Sequence, residues 1–199
     1  MTCRPRDIIK APKGLERVRF RDGDTADIIT TILEMDRLAV HTIDADAAEC
    51  LRGDDDTNTL DNIWRFIRKN VNYKADPPGH EVVKTPPALV RIGKGDCKSF
   101  TIAAVSLMRA LGFKGIRYRF ASYADGPFTH VYAVCRVDGR DVVVDAVNND
   151  GPRMEAKYVK KKDYAAYAGK VAGIASTPER ITQPLLPLLI LGGVLLFLK

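Results

Sequence analysis

Cysteine and histidine are scarce in this sequence, and their scarcity excludes several kinds of site. The 199 residues include 4 cysteines and 3 histidines. No two cysteines have the CxxC spacing of a zinc site, and four are too few for a disulfide-held scaffold, so we expect free thiols, no metal and no cofactor. Any histidine-dependent chemistry must use His41, His80 or His130. The acidic run at 54–56 lacks the EF-hand pattern and is interpreted as a solvated loop.

The sequence also lacks the segments that direct a chain to secretion or to nucleic acid. Its N-terminus has no apolar signal-peptide region, and it contains no glycine-rich phosphate loop or RNA-binding aromatic motif. Hydrophobic residues make up 46% and charged residues 28%, which indicates a globular domain rather than a disordered or multi-span membrane chain. The net charge of +6 permits contact with phosphate or anionic lipid, but nucleic acid is not a required partner.

A long stretch without charge lies near the C-terminus, from Leu185 to Leu198. As a helix it would span about 21 Å, which is less than the hydrocarbon core of a bilayer. Pro187 and two adjacent glycines would weaken it further. Three interpretations stay open: a short membrane anchor, a helix docked on a partner, and a buried terminal element. We favour the membrane anchor because the stretch has no polar face.

The chain divides into three predicted segments: a basic arm over residues 1–23, one domain over 24–175, and a linker with the hydrophobic segment over 176–199. Apolar residues recur with helical spacing over residues 24–38, 45–51, 59–70 and 97–111, and with strand spacing over 116–120, 129–137 and 140–147. Residues 76–95 are rich in proline and glycine and are predicted to form an irregular crossing loop. Helices followed by an antiparallel meander indicate the α+β class.

The run GKGDCKSF places Cys97 in the first turn of a predicted helix, soon after two glycines and directly after Asp96, which is interpreted as the helix cap. Unpaired N–H groups and the partial positive charge at a helix N-terminus favour the thiolate over the thiol. The glycines let the backbone approach a substrate closely. The alternative is that Cys97 is only a small buried residue on the apolar face of the helix.

A predicted hairpin downstream places a histidine beside a carboxylate. Asp138 and Gly139 are typical of a two-residue type I′ turn, and this turn sets the register of the two strands. In that register Tyr132 faces Asp145, so His130 lies on the same face of the sheet as both. His130 and Asp145 become diagonal neighbours within reach of a side-chain hydrogen bond.

A cysteine at a helix N-terminus together with a His–Asp pair is typical of a thiol nucleophile site. In this hypothesis Cys97 attacks a carbonyl carbon, His130 accepts the thiol proton and returns it to the leaving amine, and Asp145 orients the imidazole. A core histidine and a turn-forming aspartate are the structural alternatives for the pair. Asp150 is a weaker alternative to Asp145, because it lies beyond the strand. Cys135 points to the face opposite His130 and is rejected as the nucleophile.

These residues resemble the transglutaminase-like cysteine peptidase superfamily. The resemblance covers about residues 24–150 and is carried by the runs GDCKSF, LMRALGF, THVYAVCRV and VVVDAV. The upstream runs IWRFIRKNVNY and DPPGHEVVKTPPALVRIGKGDC are similar to the version found in bacteriophages and prophages. The resemblance implies a papain-like α+β fold, with Cys97 on the central helix and His130 and Asp145 on the sheet, and acyl transfer from an amide to water or an amine. A tryptophan that often shortly precedes the aspartate is absent here.

Three functions remain open at this point. The first is a hydrolase of peptide, isopeptide or cell-wall amide bonds, made in the bacterial cytoplasm and associated with a membrane through its C-terminal segment, or with a phage virion. The second is a transglutaminase that cross-links proteins, and the third is a non-enzymatic structural protein of a virion. Hydrolysis is favoured, because amine transfer needs a pocket that excludes water. The partner would be a protein or a peptidoglycan peptide, and the oxyanion donors would be the Cys97 N–H and a side chain from residues 70–73.

Overall fold

The computed structural model describes residues 3–11, 14–148 and 150–169. Its helices are α1 (Pro5–Ile8), α2 (Thr25–Ala39), α3 (Ala45–Ala48), α4 (Asp56–Asn70), α5 (Pro86–Ile92) and α6 (Cys97–Ala110), with a 3₁₀ turn at Glu49–Leu51. Its strands are β1 (Arg17–Arg21), β2 (Asn72–Tyr73), β3 (His80–Lys84), β4 (Lys94–Gly95), β5 (Arg117–Ser122), β6 (His130–Val137), β7 (Arg140–Val144) and β8 (Lys160–Ala165). This mixture of helices and an antiparallel sheet is the α+β class that the sequence predicts.

Helix α6 lies at the centre of the hydrophobic core. Phe100, Ala104 and Leu107 are buried, and so are most residues on its other faces, because α6 packs against β6, α2, α4 and α5. The helix ends at Ala110, one residue before its predicted end. Gly112 follows with a φ of 82°, as expected for the glycine that stops a helix.

Aspartates cap the N-termini of the three longest described helices. Asp24 caps α2 in a capping box with Asp27, Asp55 caps α4, and Asp96 caps α6. In each case the carboxylate accepts a backbone N–H from the third residue of the helix. The acidic run predicted as a solvated loop is exposed: its first two residues precede α4, and Asp56 is the first residue of the helix.

The main sheet has four antiparallel strands in the order β7-β6-β5-β8. The sequence patterns predict β5, β6 and β7 but not β8, whose basic residues 160–162 are exposed. In the pairing of β8 with β5, Ala121 lies opposite Lys161 and Arg119 opposite Asp163. Two smaller pairs, β1 with β3 and β2 with β4, lie outside this sheet.

The turn between β6 and β7 confirms the predicted type I′ geometry. Asp138 and Gly139 have φ angles of 47° and 74°, both in the left-handed region that this turn requires. Arg136 lies opposite Asp141, which is the register expected from the turn. β7 ends at Val144, so the strand predicted to reach residue 147 is shorter than expected.

Residues 76–95 are more regular than their proline and glycine content predicts. They contain β3, α5 and β4, so the expectation of an irregular loop is wrong. Pro86 and Pro87 occupy the first turn of α5, where a missing N–H costs no intrahelical hydrogen bond. Gly93 ends that helix in the left-handed conformation, with a φ of 71°. The prolines and this glycine therefore delimit a helix.

The segment predicted as a basic arm contains packed structure. Helix α1 buries Ile8 in the core, and β1 pairs with β3. Cys3 forms a disulfide with Cys50, so the expectation of four free thiols is wrong, and the free cysteines are Cys97 and Cys135. The two bonded residues are 47 positions apart, a spacing that carries no local sequence signal. The segment boundaries at residues 23 and 175 stay a prediction.

The hydrophobic segment from Leu185 to Leu198 lies outside the described residues, as does the linker before it. Its role as a membrane anchor therefore stays a prediction. Within the described ranges, the helices do not combine the length and the hydropathy that a membrane span requires.

Candidate active site

Cys97 is the first residue of α6, as the sequence predicts. The first N–H groups of a helix, including that of Cys97, have no hydrogen-bond partner within the helix. The Asp96 carboxylate accepts the Ser99 N–H at 3.4 Å. Gly95, two residues before the thiol, packs closely against α5, since a Cβ there would lie 2.5 Å from a Leu89 methyl group. The thiol therefore lies at a partly exposed helix N-terminus, close to the positive end of the helix dipole.

His130 and Asp145 form a direct side-chain pair. The His130 Nε2 atom lies 2.7 Å from the Asp145 Oδ2 atom. The Cys97 side chain lies close enough to the same imidazole to raise the pKa of His130. Because Asp145 engages Nε2, the nitrogen left for Cys97 is Nδ1. The structure thus brings together the three side chains that the sequence predicts as a site, in the order thiol, imidazole and carboxylate.

The surroundings of His130 favour its charged form. Burial opposes a charge on the imidazole, but the hydrogen bond with Asp145 and the nearby negative charges of Asp145 and Cys97 outweigh burial and raise the pKa of His130 to about 10. The imidazole beside Cys97 therefore carries a positive charge at neutral pH.

Helix α4 holds the chain around Asp145 in place, although β7 has already ended. Trp64 donates its indole N–H to the Asp145 carbonyl oxygen at 2.8 Å. Arg68 donates to carbonyl oxygens of the turn that follows, the nearest at 3.0 Å, and its guanidinium lies 4.8 Å from the centroid of the Trp64 ring. One Asp145 carboxylate oxygen accepts the Val147 N–H at 3.1 Å, which leaves the other oxygen for the imidazole.

Two tyrosine rings lie beside the imidazole. The centroid of the His130 ring is 5.5 Å from that of Tyr132 and 6.0 Å from that of Tyr123. Tyr132 is itself fixed, because its hydroxyl donates to Glu155 at 2.7 Å. Burial, together with the charges of Asp145 and Glu155, raises the pKa of Tyr123 to about 12. The two rings therefore restrict the orientation of the imidazole without adding a charge at neutral pH.

Tyr73 is the residue of the 70–73 segment that lies near the thiol. Burial raises the pKa of Tyr73, and so do the negative charges of Cys97 and Asp96 close to it. The Asn70 amide instead donates to the Phe66 carbonyl oxygen within its own helix, at 2.8 Å. In the pairing of β2 with β4, Tyr73 lies opposite Gly95, two residues before the thiol, whereas the Asn70 amide is engaged within α4.

A groove of about 280 Å³ opens onto the thiol and the imidazole. Because both groups line the same groove, a carbonyl group bound in it can reach the thiol sulfur and the imidazole nitrogen together. The rest of the lining combines apolar with charged side chains, including those of Ile28, Phe120, Phe128, Glu81 and Lys98.

The other candidate residues do not line this groove. Cys135 is fully buried, and burial raises the pKa of its thiol to about 11, which makes it unsuited as a nucleophile. His41 is exposed in the turn after α2, and His80 begins β3. Asp150 is exposed in the chain after Asn148, whose side chain accepts the Asp150 N–H at 2.9 Å.

Three carboxylates near the thiol have the spacing of a cation site. Oxygen atoms of Asp76, Glu81 and Asp96 lie within 4.8 Å of one another. The Lys98 ammonium lies among them, 2.6 Å from Glu81, 3.3 Å from Asp76 and in contact with Asp96. Over residues 3–11, 14–148 and 150–169, no other set of three or more histidine, cysteine or acidic side chains has this spacing.

The family model of the transglutaminase-like superfamily matches residues 46–146, about half of the chain, including Cys97, His130 and Asp145. The chain belongs to the transglutaminase-like superfamily. The transglutaminase-like fold expected from the sequence is confirmed. No match was found among the curated proteins.

Solved structures resemble this superfamily member at low sequence identity. LapG of Legionella pneumophila in its calcium-bound form is 18% identical, with a TM-score of 0.48 over 76% of this chain and 85% of that chain. The EGTA-treated form is also 18% identical, with a TM-score of 0.44 over 66% and 68%. A structure of a TGase is 11% identical, with a TM-score of 0.40 over 66% and 35%. Likeness at this level concerns the general fold and says nothing about a substrate.

Sequence reasoning does not predict the residues that support the site. The helical pattern over 59–70 places Trp64 on a core face, but nothing in it connects Trp64 to a carbonyl group 81 residues later. Tyr73 falls within the segment from which an oxyanion donor is expected. Tyr123 and Lys98 carry no signal of their own, because their roles depend on chain segments that meet only in the folded protein.

Proposed function

We propose that this protein is a cysteine-dependent acyl-transfer enzyme that hydrolyses peptide, isopeptide or cell-wall amide bonds. The observation that supports this most strongly is the 2.7 Å contact between His130 and Asp145, on an imidazole that lines the same groove as Cys97. Membership of the transglutaminase-like superfamily agrees with this chemistry. The proposed roles are nucleophile for Cys97, general acid and base for His130, and orientation of the imidazole for Asp145.

In the first half of the proposed reaction, the Cys97 thiolate attacks the carbonyl carbon of an amide held in the groove. The oxyanion that forms accepts hydrogen bonds from the Cys97 backbone N–H and the Tyr73 hydroxyl. The C–N bond then breaks, and the proton on His130 Nδ1 moves to the leaving amine. The acyl group remains on the sulfur as a thioester, and the imidazole is left neutral.

In the second half, a water molecule attacks the thioester carbonyl while the neutral imidazole of His130 accepts a proton from it. The C–S bond breaks, the carboxylic acid leaves, and the thiolate–imidazolium pair forms again. An amine in place of water would give an amide instead, so the same residues support both outcomes. We propose hydrolysis, because water is always present and amine transfer requires its exclusion.

The lining of the groove favours substrates with an apolar side chain near the cleaved bond. Ile28, Phe120 and Phe128 offer apolar surface beside the thiol. Burying an aliphatic or aromatic side chain against such surface contributes about 1.5–3 kcal/mol. We therefore propose that an apolar residue on the acyl side of the bond is bound there.

The experiment that tests this function is incubation with a peptide library and a labelled amine, followed by mass spectrometry. We expect Cys97-dependent cleavage at apolar residues, with little amine incorporation, and no products from Cys97→Ala. Amine incorporation above hydrolysis would indicate a transglutaminase instead. No product of either kind, together with a Cys97 that is inert to iodoacetamide, would indicate a non-enzymatic structural protein.

The setting of this reaction is also a proposal. We propose a role in a bacteriophage, with synthesis in the bacterial cytoplasm, only on the resemblance noted for the runs upstream of Cys97. The uncharged stretch from Leu185 to Leu198 supports attachment to a membrane. We expect the full chain to float with liposomes. A chain that ends near Thr177 should not float with them.

A further inference from the structure

Lys98 directly follows the thiol residue, yet its side chain turns away from solvent. The side chain is 8% exposed, and its ammonium contacts the carboxylates of Asp96, Glu81 and Asp76. Burial opposes the charge, but the contacts with Asp96 and Glu81 outweigh burial and raise the pKa of Lys98 above its ordinary value. The ammonium is therefore a permanent positive charge beside the start of α6.

The three carboxylates come from three separate pieces of chain. Asp96 caps α6, Glu81 belongs to β3, and Asp76 lies between β2 and β3, where it also accepts the Val82 N–H at 2.7 Å. Lys98 is the group that all three contact. It therefore connects the loop before β3, the strand itself and the helix that begins with the thiol.

The ammonium occupies a space of the size that a divalent cation would need. Oxygen atoms around a bound Ca²⁺ lie about 2.3–2.6 Å from the ion, so oxygens on opposite sides are about 5 Å apart. The carboxylate oxygens of the cluster lie within 4.8 Å of one another. Lys84 also feels the charges of Asp76 and Asp96, but its pKa is lowered, mainly by burial, so it is the weaker of the two compensating cations.

We propose that Lys98 is a positioning residue for Cys97: its ammonium takes the place of a divalent cation among the three carboxylates and fixes the thiol without a metal. This inference rests on the proposed function in one respect, since the position of the thiol matters only if Cys97 is the nucleophile. The presence of the ammonium among the three carboxylates does not depend on that function. The protein should accordingly be indifferent to chelators and to added divalent cations.

Removing the ammonium should leave a cation site that the natural protein lacks. In Lys98→Ala, the three carboxylates repel one another and space opens between them. We expect this variant to bind Ca²⁺ with a Kd below about 1 mM, and to lose at least about 10-fold in the rate of Cys97 alkylation when calcium is absent. Adding Ca²⁺ should restore that rate and raise the melting temperature.

The experiment compares the wild type, Lys98→Ala and the double variant Lys98→Ala/Glu81→Gln. Calorimetric Ca²⁺ titration, melting temperature and mass-mapped alkylation of Cys97 are measured with EGTA and with Ca²⁺. We expect calcium binding and rescue only in Lys98→Ala, because the double variant lacks a ligand. If Lys98→Ala is unfolded in EGTA, its refolding on addition of Ca²⁺ supports the proposal, and failure to refold contradicts it.

Other results overturn the proposal. Calcium binding by the wild type, or loss of Cys97 alkylation in EGTA, would show that Lys98 does not replace a metal. A Lys98→Ala variant that binds no calcium and alkylates like the wild type would show that the ammonium does not position the thiol. Calcium titration and melting do not depend on catalysis, so they give the same answer even if the peptide library shows no turnover.

Discussion

The indole N–H of Trp64 donates to the carbonyl oxygen of Asp145 at 2.8 Å, which joins the middle of α4 to the carboxylate-bearing residue just beyond β7. The contact matters because Asp145 lies outside the strand ladder, where no cross-strand hydrogen bond fixes it. Helix α4 therefore positions Asp145, whereas the sheet positions His130.

Replacing Trp64 with phenylalanine should weaken activity more than stability. The variant keeps an aromatic ring but loses one hydrogen bond, which costs about 1 kcal/mol of unfolding free energy. We expect kcat to fall by about 10-fold, because the Asp145 carboxylate loses its fixed position. Arg65→Ala, on an exposed position of the same helix, is the control. Equal kcat values for the two variants would show that Trp64 does not position Asp145 for catalysis.

The identity of the carboxylate partner can be tested by two matched substitutions. His130→Ala should reduce kcat by about 10²–10⁴-fold, since it removes the general acid and base. Asp145→Asn should be milder, because the aspartate only orients the imidazole and supports its charge. Asp150→Asn should leave kcat unchanged, as Asp150 is exposed and does not line the groove. If Asp145→Asn keeps full activity and Asp150→Asn loses it, Asp150 rather than Asp145 is the partner of His130.

Tyr73 provides a test of the oxyanion donors. Tyr73→Phe removes the hydroxyl but keeps the ring, so folding should be preserved. We expect kcat to fall by about 10²-fold with little change in KM, because a donor to the oxyanion acts only in the transition state. Single-turnover kinetics of thioester formation measures this effect directly. An unchanged acylation rate would leave the Cys97 backbone N–H as the main donor.

The raised pKa of His130 predicts a pH dependence of stability. The pKa rises from 6.5 in the unfolded chain to about 10 in the folded protein, so the folded state binds the proton more tightly. The stabilisation is complete below pH 6.5 and is lost as the pH rises through 10. Urea unfolding of the wild type and of His130→Gln at several pH values should give a difference that shrinks across this range. A difference independent of pH would contradict the imidazolium assignment.

Local patterns were sufficient to predict the part of the site that lies on one hairpin. Asp138 and Gly139 require left-handed backbone, and this alone set the register that brings Asp145 next to His130. The start of α6 was predictable for a similar reason, since Asp96 caps it and Gly95 precedes it. In both cases the decisive interactions join residues that are close in the sequence.

The features that the sequence did not predict depend on distant segments. β8 becomes a strand by pairing with β5, and its run of lysines has the pattern of an exposed surface. The sequence pattern places Pro86 and Pro87 in a loop, because proline composition does not distinguish a loop from the first turn of a helix. The disulfide between Cys3 and Cys50, and the contact of Trp64 with Asp145, likewise arise only when the chain is folded.

The most direct test of the proposed thiol chemistry is the rate at which iodoacetamide alkylates each free cysteine at pH 6–7, followed by peptide mapping. We expect Cys97 to react rapidly, Cys135 to remain unmodified, and His130→Ala to slow the reaction at Cys97 by at least about 10-fold. This result would show a thiolate maintained by the imidazole. A Cys97 that reacts no faster than an ordinary cysteine, and equally fast with and without His130, would contradict the account.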